Sequence, residues 1–162
     1  MYRKVVIPLD CTPEAERVCF RVHQEYPDAR VVLLQVTPPV HTQDMHGVVS
    51  LVAGQIQQTD RFSALVYLHE AVRRVTGNPD QWQCEVVVSE SIPQAIIDAA
   101  IREEADLIAI YTQPRRGLDR YFLPSIAKQV RRKAPMDVRI FAHRELERLN
   151  QLEAARSCSG VR

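Results

Sequence analysis

The chain has 162 residues, 46% hydrophobic and 25% charged, with a formal net charge of +1. A single domain of this length buries roughly 70% of the surface that its unfolded form exposes, so it needs no covalent staple, and the composition excludes a disordered or fibrous chain. The near-neutral balance gives a nucleic-acid partner no support, and apolar runs such as LIAIY fall well short of the ~20 residues that cross a membrane.

The first predicted element is KVVIPLD (residues 4–10), a β-branched run without polar alternation, as expected of a strand buried on both faces. TPEAERVCFRVHQEY then reads as a helix with Thr12 as N-cap, Pro13 at the first helical position and Val18, Val22 and Tyr26 on one face. ARVVLLQVTPP is a second buried strand, stopped by Pro38 and Pro39. Residues 40–59, with His41, His46 and Gly47, read as a loop holding a short helix, followed by an amphipathic helix over 60–75 that Gly77 closes. QCEVVVS is a third strand, and Ser91 and Pro93 open a helix filled by Ile96, Ile97, Ala100 and Ile101. DLIAIYT (106–112) is a fourth strand, SIAKQVRRKA a fourth helix and DVRIFA (137–142) a fifth strand. Leu146, Leu149 and Leu152 recur at helical spacing in a tail over 143–162, set apart from a domain over 1–142.

Five alternations of strand and helix predict an α/β fold, an open five-stranded parallel sheet with helices on both faces, Rossmann-like, whose order is 3-2-1-4-5 if strands one and four are central neighbours. Such a sheet binds ligands beyond the carboxyl ends of its strands, where the strand order reverses. The loops meeting there are PLDCT after the first strand and YTQPRRG after the fourth.

Cys11, Cys19, Cys84 and Cys158 form neither a CxxC pair nor zinc spacing, and the N-terminus lacks signal-peptide architecture, so a cytoplasmic location is expected. His41 and His46, five apart, lack the i, i+4 helical context of a metal pair, and no metal site is expected. Asp10 is a capping carboxylate as readily as a reactive one, and no second carboxylate or histidine stands beside it in sequence, so no catalytic residue is assigned. Cys11 adjoins Asp10, whose charge is expected to raise the thiol pKa. Between Arg115 and Lys133 seven cations face the single acid Asp119, a pattern that a solvated helix face explains.

The segments VVIPLDCTPEAERV, SESIPQAIIDAAIREEADLIAIYT and GLDRYFLPSIAKQVRRKAPMDVRIF together resemble the universal stress protein family over residues 1–142, including the alanine-proline pair before the last strand, here Ala134 and Pro135. The resemblance implies that Asp10 contacts a nucleoside and that Pro8 and Val36 line a base pocket. One branch of that family binds ATP through a glycine, two residues, a glycine, nine residues, then a glycine followed by serine or threonine. Counted back from Ser125, those glycines fall on Tyr111, Pro114 and Pro124, and all three are missing. Glycine lets the backbone approach phosphate and donate its N–H. Proline has no N–H and a fixed φ, and Tyr111 is expected to add bulk where a triphosphate would lie.

What survives is a helix N-terminus at Ser125 and Ile126, whose N–H groups and dipole favour an anion, and the guanidinium forks of Arg115 and Arg116, with Arg120 nearby. The expected function is a stress-response or signalling module of the universal stress protein type that does not bind ATP in the family's manner and acts through a protein partner or a small anionic ligand. The alternative is an adenine-nucleotide module for ATP or AMP in which arginines replace the glycine loop, and a slow nucleotide hydrolase ranks last. An apolar last strand left open would invite pairing, and strand 137–142 of many family members pairs across a dimer axis, so a homodimer through it is expected.

Overall fold

The structure is a computed structural model and describes residues 1–40, 48–76, 78–112, 125–143, 146 and 148. The strands are β1 (Lys4–Pro8), β2 (Arg30–Thr37), β3 (Trp82–Val88), β4 (Leu107–Thr112) and β5 (Asp137–Ala142), and the helices are α1 (Pro13–Glu25), α2 (Val48–Val75), α3 (Ile92–Arg102) and α4 (Ile126–Lys133). All strand pairs are parallel in a single sheet ordered β3-β2-β1-β4-β5, as the sequence predicts.

Odd-numbered residues of β1 and β2 (Val5, Ile7, Val31, Leu33) pack under α1 and α2 with Val18, Val22, Leu68 and Val72. Their even-numbered neighbours (Val6, Val32, Leu34) pack under α3 and α4 with Ile96, Ile97, Ala127 and Val130. This two-sided burial is why these strands carry no polar alternation. α1 and α2 thus cover one face of the sheet and α3 and α4 the other, and the strand order reverses between β1 and β4.

Side-chain caps form at two of the expected helix starts. Thr12 caps α1, its Oγ accepting from Ala15 N at 3.2 Å, and Ser125 caps α4, its Oγ accepting from Lys128 N at 3.3 Å. Ser91 stands at the N-cap of α3 without a side-chain bond. α3 ends with Ala105 N donating to Ala100 O and Glu104 N to Ile101 O; the left-handed φ of 51° that this closure requires falls on Glu104, where glycine is usual.

Three expectations are corrected. Helix α2 begins at Val48, not near residue 60. Of its residues 54–63, all are exposed except the half-buried Gln57, so no apolar stripe marks this part of the helix in sequence. Gln57 ties this part of α2 to the end of β2, accepting from Val40 N and donating to Pro38 O. Ile101 is 51% exposed, because the buried side of α3 narrows to Ala99 and Ala100 in its last turn. β1 ends at Pro8, although Leu9 N still reaches Leu34 O at 2.8 Å. Gly77, His41 and His46 lie outside the described residues. No helix among the described residues is long and apolar enough to cross a membrane.

Candidate functional site

Where the chain reverses, β1 turns sharply into α1. Cys11 takes a φ of 62°, a left-handed conformation uncommon outside glycine. The turn folds Asp10 back, so that its Oδ1 accepts from Thr12 N at 3.1 Å and from Thr12 Oγ1 at 2.6 Å, while Thr12 caps the helix in turn. One carboxylate oxygen is thus spent on the turn. Asp10 Oδ2 has no partner among the described residues and remains an acceptor for a hydroxyl or amine. Burial, then the charges of Asp10 and Glu16, hold the exposed Cys11 thiol above its usual pKa, against an opposing bond from Gln35.

A cavity of about 130 Å³ opens beside this turn. Pro8, Asp10, Val36 and Ile126, each assigned from sequence, line it together. Ile92 and Ile96 of α3 and Ile110 and Tyr111 of β4 complete an apolar wall that sequence reading had assigned only to packing or to bulk. Their position at the carboxyl end of β4 and the start of α3 was the available signal. Ser125 does not line the cavity; it is the residue before Ile126, and its hydroxyl is taken up by the α4 cap. The N–H groups of Ile126 and Ala127 have no partner among the described residues, as first-turn donors of a helix often do not.

Tyr111 is expected to add bulk where a triphosphate would lie. It borders the cavity, yet its ring packs against the core on the α1–α2 side, and its hydroxyl lies 3.1 Å from His143 Nδ1 in a hydrogen bond. Arg115, Arg116, Arg120, Pro114, Gly117 and Pro124 lie outside the described residues. Among the described residues no three histidine, cysteine or acidic side chains are grouped to hold a metal ion.

The sequence profile of the Universal stress protein family matches residues 1–141. The chain belongs to the universal stress protein family. A universal stress protein of Methanocaldococcus jannaschii is 26% identical over 142 residues, covering 83% of this chain and 78% of its own. The universal stress protein UspA from Lactobacillus plantarum shares the fold with a TM-score of 0.68 at 17% identity, over 86% of this chain and 97% of that one. A universal stress protein solved in complex with cAMP gives 0.64 at 20% identity, again over 86% and 97%. These two likenesses establish the fold, and with it the five-stranded order that places Asp10 and Ile126 at the reversal point.

Proposed function

We propose that this universal stress protein is a stress-response or signalling module whose crevice takes a small adenosine-type ligand such as AMP, and that it does not bind ATP by the glycine-cradled mode. The observation that carries the reading is the convergence of Pro8, Asp10, Val36 and Ile126 on one cavity of about 130 Å³. That volume is well below the ~300 Å³ at the lower end of ligand pockets, and it suits a flat ring rather than a whole nucleotide. Its apolar walls suit a base, and the unpartnered oxygen of Asp10 suits a ribose hydroxyl. A single phosphate is favoured at the N-terminus of α4, where dipole and N–H groups act together. Arg115 and Arg116 are the candidates for further phosphate contacts in place of the absent glycines. A relative of the same fold holds a nucleoside monophosphate, cAMP, which supports the same class of ligand here.

The module is further proposed to act as a homodimer through β5, which among the described residues pairs only with β4 and carries half-buried Val138 and Ile140. Light scattering on the purified chain tests this, a monomer at high concentration being the contrary result. For the ligand, calorimetric titration with AMP is compared between wild type and Val36→Phe, which fills the cavity. The expected outcome is at least a tenfold loss of affinity with an unchanged circular dichroism spectrum. Equal affinity in the two proteins would contradict the assignment of this cavity.

A further inference from the structure

Among the described residues, the chain after β5 meets the wall of the crevice where His143 bonds Tyr111. His143, directly after β5, is helical, as are Leu146 and Arg148. Leu146 is 1% exposed and sits with Phe141 in the core on the α1–α2 side, a cluster that Tyr111 also packs against. Tyr111 stands beside Phe141 in the β4–β5 register, and its hydroxyl reaches His143 Nδ1 at 3.1 Å. The same Tyr111 borders the cavity on the carboxyl side of β4. The start of the tail is therefore held as core, by a buried leucine and a hydrogen bond, and the bond's partner is part of the candidate ligand site.

We propose that docking of the tail and order of the crevice wall form one cooperative unit coupled through Tyr111, so that an occupant of the crevice and the docked tail act on each other. Coupling of this kind is reciprocal: whatever ligand binding does to the tail, a change in the tail does to the ligand's affinity. A side chain that packs only locally would disturb its own surroundings and leave the other region unchanged. The ligand half of the proposal rests on the function proposed above; the mechanical half does not.

Hydrogen exchange on the full chain separates the two. Tyr111→Phe keeps the ring in the core and removes the hydroxyl, and it should speed exchange in the peptide 143–148 by about fivefold, the worth of one net hydrogen bond. Leu146→Ala should speed the same peptide roughly 30-fold or more. It should also speed exchange at 109–112 severalfold, while peptides from β2 and β3 keep their wild-type rates. Wild-type rates at 143–148 in Tyr111→Phe, or at 109–112 in Leu146→Ala, would overturn the coupling. Saturating AMP should slow exchange at 143–148 in the wild type and not in Tyr111→Phe. AMP that binds without altering the tail also overturns the coupling. AMP that does not bind contradicts the proposed ligand class instead, and the AMP-free arms then decide the coupling by themselves.

Discussion

At the amino ends of β1 and β4, polar groups are paired in a dense network, whereas at their carboxyl ends the same two strands border an apolar cavity with a half-used carboxylate. Asp106 Oδ2 accepts from Arg3 N at 2.7 Å and Lys4 N at 3.0 Å, and Lys4 Nζ bonds Glu103 at 2.9 Å. Tyr2 donates to Asp137, and Arg139 bonds both Glu25 and Tyr26 while lying 4.6 Å from the centre of the Phe141 ring. Around the cavity the bonds are fewer: Thr12 donates to Asp10 within one turn, and Tyr111 bonds His143 across the β4–β5 register. The contrast teaches that register and strand order are fixed at one end, which leaves the other end free to change its loop without loss of the fold.

Matched deletions at the two ends break the comparison most severely. Leu107, 1% exposed at the start of β4, should cost about 3 kcal/mol on substitution by alanine. Ile126→Ala at the cavity, where the side chain is half-buried, should cost about 1 kcal/mol or less while weakening AMP binding. Urea midpoints with a common slope read both, and equal losses would remove the distinction between a fixed and an adaptable end.

Arg139→Ala comes next. Its guanidinium has two partners but is partly exposed, so solvent screening limits the expected loss to about 1–2 kcal/mol in the same urea experiment. An unchanged midpoint would show the network to be incidental to stability.

The smallest effect is in acid. The N–H groups of Arg3 and Lys4 hold the Asp106 carboxyl below the usual aspartate range. A folded-state pKa below the unfolded value means a contribution fully present above about pH 4 and lost as pH falls through the folded pKa. The stability advantage of wild type over Asp106→Asn should therefore be constant from neutral pH to about pH 5 and shrink below about pH 4. A constant gap down to the lowest pH at which the chain stays folded would place the cause elsewhere.

Much of the fold was legible because burial on both faces writes itself as uninterrupted β-branched runs, as in KVVIP and RVVLLQVT, and prolines mark their ends. The start of α2 was not, since its residues 54–63 are nearly all exposed and leave no periodic trace. The site was half legible. Pro8, Asp10 and Val36, expected from the family pattern, and Ile126, expected from a helix N-terminus, line one cavity at the reversal of strand order. The aliphatic wall from Ile92, Ile96 and Ile110 looked like ordinary core, which in composition it is. The pairing of Tyr111 with His143 could not be read at all, because it depends on how the chain after β5 folds back.

The central claim is that the crevice has kept a place for a small adenosine-type ligand and has lost the triphosphate cradle. Parallel calorimetric titrations with AMP and with ATP and Mg²⁺, on the same preparation, test it most directly. The account predicts that AMP binds and that ATP binds no more tightly than AMP, since the extra phosphates meet no glycine-built donors. ATP bound at micromolar strength and at least tenfold more tightly than AMP would contradict it.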